Sequence, residues 1–74
     1  MSIKFDYAKL RGRIVEKCGT QAAFAKKVGL STVAVTKKLR GQVAFRNDEI
    51  LKMAEVLDIS LDDLRDFFFA VAVK

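Results

Sequence analysis

Residues 20–40 read TQAAFAKKVGLSTVAVTKKLR, two short runs of helix-forming residues separated by a glycine. Thr20 has the hydroxyl that a helix start needs, and Phe24, Ala25 and Val28 fall on one stripe before Gly29 stops the run. Ser31 caps a second run with Val35 and Leu39 turned inward, and Gly41 stops it. Measured from Gln21, which opens the first helix, Ala25 lies four residues on, Gly29 eight and Val35 fourteen. Each position has a steric reason. A small residue at Ala25 lets the second helix cross closely, Gly29 supplies the positive φ of a tight turn, and Val35 packs back against Phe24 and Val28.

Outward from this pair, further helices follow from caps and periodicity. Before it, Asp6 accepts the free amides of a helix carrying Tyr7, Leu10, Ile14 and Cys18 on one stripe and ending at Gly19. After it, residues 41–46 form a loop in which Phe45 docks on the core. Asn47 caps a fourth helix, with Asp48 and Glu49 in the first turn, where the helix dipole favours acids. Ile50, Met53, Ala54 and Leu57 follow at i, i+3, i+4 and i+7. Asp58 and Ile59 make a turn, and Ser60 with Asp63 resembles a capping box opening a fifth helix that buries Leu61 and Leu64. The expectation is an all-α domain spanning residues 1–74, five helices around a two-helix motif, with short terminal strands as an open addition.

That addition comes from the last residues. Phe67, Phe69, Val71 and Val73 alternate with Phe68, Ala70 and Ala72, a period of two that suits a strand, and Ile3 and Phe5 alternate likewise. Two readings stand. The segment leaves helix five near Phe67 and pairs with the N-terminal segment or with a second copy, or the phenylalanines complete one subunit's core and the end is disordered.

Composition removes several functional classes. The chain has 74 residues, no His and one Cys, so neither a zinc site nor an internal disulfide is expected, nor any cofactor. General acid–base and nucleophilic chemistry need a poised group with a partner, and the acids sit at helix ends; no enzyme is expected. Cys18 on the apolar stripe reads as a buried thiol, and Tyr7 as a half-buried aromatic. The longest apolar run, residues 67–73, is too short for a membrane span, and no signal peptide is read, which suggests the cytoplasm.

Net charge is +5, unevenly placed. Residues 1–46 hold 11 Lys and Arg against two acids, a net +9, while residues 47–74 hold three against seven, a net −4. No acid stands between Glu16 and Asp48. Such asymmetry suggests one face for a polyanion and another turned away from it.

With Val35 and Leu39 inward, the third helix presents Thr32, Val33, Thr36 and Lys37. These side chains suit a major groove: hydroxyls for base edges, methyls for a thymine methyl, and Lys37 for guanine O6 and N7. Gln21 and Arg40 are placed for phosphates on either side, with Lys26, Lys27, Lys38 and Arg46 as further candidates. Arg11 and Arg13 are as readily solvated or salt-bridged.

The stretches FDYAKLRGRIVEKCGTQAAFAKKVGLS, KKLRG, FRNDEILKMAEVLDIS and FFF make the chain resemble the small Cro-like helix-turn-helix regulators of temperate phages and prophages. The resemblance implies a repressor-type domain, operator binding by helix three, and a role in a lysis–lysogeny switch. The partners implied are a double-stranded DNA operator and a second copy, at least on DNA. One position departs from the pattern. Lys38 stands three residues after Val35, where an apolar residue is usual, and Leu39 takes its place in the core. The rival reading is a protein-binding module, an antirepressor or antitoxin that captures another phage regulator through the acidic, apolar C-terminal part.

Overall fold

The computed structural model describes residues 5–71. Its helices are α1 (Ala8–Cys18), α2 (Gln21–Val28), α3 (Thr32–Leu39), α4 (Asn47–Val56) and α5 (Leu64–Phe68), the last entered through a 3-10 turn at Leu61–Asp63. The five-helix, all-α expectation holds, and no sheet forms among the described residues.

The helix starts follow their side chains. Thr20 Oγ1 accepts from the Ala23 amide and Ser31 Oγ from the Ala34 amide, each at 3.1 Å. At α1, Asp6 accepts from Ala8 N. Helix α4 starts at Asn47 rather than being capped by it, and the carboxylate of Glu49 reaches back to the Arg46 amide at 2.9 Å.

Three helix ends share one device. After α2 the Leu30 amide bonds Ala25 O, after α3 Gln42 bonds Lys37 O, and after α4 Ile59 bonds Ala54 O, all at 2.8–2.9 Å. This six-to-one bond needs a left-handed residue just before the donor. Gly29 (φ 78°) and Gly41 (φ 77°) supply it freely, and Asp58 (φ 56°) supplies it at α4. Helix α1 closes further carbonyls at the ends of α3 and α4: Arg11 donates to Leu39 O at 2.7 Å, and Arg13 to Leu57 O and Asp58 O at 3.0 Å. Both arginines are therefore helix-end braces.

The core draws Leu10 and Ile14 from α1, Phe24 and Ala25 from α2, Val35 and Leu39 from α3, Ile50, Met53 and Ala54 from α4, and Phe67 and Phe68 from α5. Leu57 and Ile59 fill the α4–α5 corner. Cys18 is only partly buried against this cluster. Leu61, expected inside, is 69% exposed because the 3-10 turn lies ahead of the packed helix; Leu64 is half-buried. Ser60 Oγ donates to the Asp63 carboxylate instead of completing a capping box.

The tail resolves the two sequence readings in part. Helix α5 runs through Phe68, so Phe67 and Phe68 are adjacent helical residues, both buried, and Phe67 belongs to the subunit's own core. The chain leaves the helix at Phe69. There the Asp6 amide donates to Ala70 O at 2.7 Å and Phe5 forms an isolated antiparallel bridge with Val71. The N- and C-terminal segments thus pair within one chain. Ile3 and Val73 lie outside the described residues.

Candidate nucleic-acid interface

Helix α3 follows α2 through the left-handed turn at Gly29, with Ala25 of α2 and Val35 of α3 both buried. What α3 leaves outside is Thr32, Val33 and Lys37, all exposed, with Val33 at 63%. Thr36, the fourth expected reader, leans toward α2, half-buried, and its hydroxyl donates to Gln21 Oε1 at 3.3 Å. The structure therefore joins Gln21 and Thr36 into one unit, with Thr32, Val33 and Lys37 on the open face.

Among the described residues, Lys26, Lys27, Lys37 and Arg40 take part in no ion pair. Lys26 sits in the last turn of α2 and Arg40 caps α3, both exposed. Arg46 is exposed too and meets Asp48 at 3.4 Å, a surface pair of little worth that a phosphate can displace.

Lys38 is a correction. Expected among the phosphate contacts, it is 5% exposed, and its ammonium lies 2.8 Å from Glu49 Oε1 and donates to Ala44 O at 3.0 Å. It is spent inside the fold, tying α3 to the loop before α4. Buried Leu39 sits beside it, so both positions point inward. Burial raises the Glu49 pKa. The hydrogen bonds from Lys38 and the Arg46 amide, with the charges of both residues, outweigh that and hold the carboxyl below its ordinary value.

A second surface lies beyond the end of α3. Phe5, Tyr7, Val43, Phe45, Phe68 and Phe69 line a cavity of about 480 Å³, with Arg40 at its margin. The rings meet edge to face, Tyr7 with Phe45 at 5.2 Å and Phe45 with Phe68 at 5.5 Å between centroids. Phe5, Val43, Phe69 and Val71 are between 42% and 53% exposed. Sequence reasoning noted the apolar tail but missed this groove, because Phe5, Val43 and Phe69 are 26 or more residues apart. The alternation of Phe5 and the tail was the available signal.

The sequence matches, over residues 3–71, a family model described as "Protein of unknown function (DUF739)". The chain belongs to that family. Among solved structures it is similar to the modulator of repression (MOR) of the temperate bacteriophage TP901-1 from Lactococcus lactis. The TM-score is 0.79 and the identity 46%, over 88% of each chain. It is also similar to the DNA-binding domain of the P22 C2 repressor, with TM-score 0.70 and 28% identity over 86% of this chain and 84% of that one. A search of curated protein sequences finds no match. The chain is thus a phage repressor-like helix-turn-helix domain, and its structural neighbours are regulatory proteins rather than enzymes. No helix of the described residues is long and apolar enough to cross a membrane.

Proposed function

We propose that this member of the family regulates a temperate phage's transcription by binding operator DNA, with α3 in the major groove. The observation that carries the reading is the open face of α3. Thr32, Val33 and Lys37 are exposed on a helix whose other side is buried, in a stretch without acids, flanked by Lys26 and Arg40, which take part in no ion pair among the described residues. Lys37 would take guanine O6 and N7, Val33 and the Thr32 methyl a thymine methyl, and Gln21, Lys26, Arg40 and Arg46 the phosphates. The likeness to a repressor's DNA-binding domain supports this reading. The protein would work in the cytoplasm and bind as a two-fold dimer, whose recognition helices must stand about 34–36 Å apart to reach successive major grooves. Exposed Phe69 and Val71, beside Phe5, are the apolar surface such a dimer would cover.

Selection of bound fragments from random duplex DNA tests this directly. The expected result is a palindromic site whose log affinity falls with log salt by about 0.9 for each phosphate neutralised. No measurable binding at low salt removes the reading. Truncation after Phe69, followed by sedimentation and binding to the palindrome, tests the dimer. A truncated chain with unchanged assembly and affinity leaves the tail without a role in it.

One observation favours a second reading. The neighbour with 46% identity is called a modulator of repression, which suggests action on another regulator. Here the partner surface would be the aromatic groove and the acidic C-terminal part. Weak, salt-insensitive DNA binding together with tight capture of the phage's repressor would select it.

A further inference from the structure

The hydrogen bond between α2 and α3 decides which polar groups the interface can offer to a ligand. The Thr36 hydroxyl donates to Gln21 Oε1. A hydroxyl has one proton, whereas a carboxamide carries two on nitrogen and none on oxygen. With the Thr36 proton directed at Oε1, neither Nε2 hydrogen of Gln21 is taken by Thr36, and both are left for another acceptor. No buried side-chain nitrogen or oxygen lacks a partner among the described residues, and no described group accepts from Nε2, so that nitrogen meets solvent. The opposite amide orientation would have Nε2 donating to Thr36 and Oε1 facing outward. An outward oxygen repels a phosphate, so a phosphate at this edge of the motif would favour the orientation in which Thr36 donates to Oε1.

We infer that Thr36 is a positioning residue, which holds the Gln21 amide by its oxygen and leaves Nε2 to donate to a backbone phosphate, instead of reading a base itself. The inference rests on the operator-binding reading above. It makes the pair a source of affinity without sequence preference, and leaves base readout to Thr32, Val33 and Lys37. At 3.3 Å the bond is longer than the usual hydroxyl bond of about 2.7–2.8 Å, so it adds little to folding and its loss leaves the domain intact.

The test uses the full chain, the duplex it selects from a random pool, and all single-base-pair variants of that duplex. T36V should lower affinity about 3- to 10-fold on every duplex alike, the size of one ordinary hydrogen bond, with the melting temperature unchanged. T36S, which keeps the hydroxyl, should bind as the wild type does. Q21A should lose at least as much as T36V, and adding T36V to Q21A should cost less than about twofold more, because the two act as a unit. A T36V effect confined to one base pair, or one undiminished in the Q21A background, overturns the assignment while the operator reading stands. A wild-type chain that binds no duplex removes both, and that result appears before any variant is made.

Discussion

In residues 20–40 each helix start has a side-chain cap and each helix end a left-handed glycine, whereas the segment from Ser60 to Val71 has neither. The closing segment begins in a 3-10 turn, runs through five α-helical residues without a side-chain cap, and ends at a single bridge. What anchors it is two aromatic rings, Phe67 and Phe68, at 7% and 2% exposure. Both regions bury side chains in the common core, but the first also has its helix starts and ends fixed by hydrogen bonds within a few residues of each other, and the second lacks these. The difference teaches where each is vulnerable: substitutions at caps and turns shift the first by small, separable amounts, whereas the second has chiefly its packing to lose.

The largest expected effect attacks the packing-held region. Phe68→Ala should cost about 3–5 kcal/mol, the usual loss for a buried phenylalanine, which is a large part of a small domain's stability. Phe69→Ala, one residue on and 46% exposed, should stay within about 1 kcal/mol. Urea unfolding of the two variants measures the contrast. Equal costs would mean that the tail is held by more than its buried rings.

Next come two neighbouring lysines that separate the regions' roles within one helix. Lys38→Met leaves Glu49 enclosed without its cation and should cost about 3 kcal/mol, the low end for broken buried pairs because Glu49 keeps some exposure. The double variant K38L/E49L should recover most of that, since no buried charge is left alone. Lys37→Ala should hold stability within about 0.5 kcal/mol while relaxing preference at one base pair by about 1–3 kcal/mol. Uniform loss across all sequences would remove Lys37 from base readout.

These neighbours also mark what could be read in the sequence. Thr20, Ser31, Gly29 and Gly41 announce the helix pair because each acts on amides or dihedrals close to itself, and the predicted caps and turn are those observed. The five-helix architecture and the open face of α3 follow from the same local rules. Lys38 was not legible, because a buried cation depends on a carboxylate 11 residues away that meets it only when α4 folds back. Arg11 and Arg13 likewise bond carbonyls 28 to 45 residues distant. Leu61 was misplaced because Ser60 and Asp63 pair with each other through their side chains and the turn they start is 3-10.

Acid should loosen the same Lys38–Glu49 tie by a smaller amount. The Glu49 carboxyl is held below its ordinary value in the folded chain. Its contribution is therefore present above the unfolded value of about 4.3 and is lost as pH falls through the folded value. Wild-type stability should fall over that range more steeply than that of E49Q, by at most one proton, about 1.4 kcal/mol per pH unit. Parallel slopes between pH 5 and 3 would show that Glu49 has no such role.

The smallest effect isolates the local physics of the helix pair by using two glycines. A Cβ added at Gly12, inside α1, or at Gly29, in the turn, meets nothing within 4 Å, so packing contributes to neither substitution. Only the backbone differs. Gly12 lies in a regular helix, where alanine narrows the unfolded ensemble and suits the native dihedrals; Gly12→Ala should stabilise by about 0.4–1 kcal/mol. Gly29 has φ 78°, where an L side chain crowds its own carbonyl, and Gly29→Ala should destabilise by about 1–2 kcal/mol. The opposite signs follow from dihedral preference alone, in a pair of sites with equal free space. Thermal melts of the two variants read the signs directly. If Gly29→Ala proved neutral, the turn could relax to an ordinary φ, and the six-to-one bond from Leu30 to Ala25 would have to break or lengthen, altering how α3 crosses α2. On the operator-binding reading, that change would show in DNA affinity even where stability did not move, so the two measurements together decide whether local geometry sets how α3 is presented.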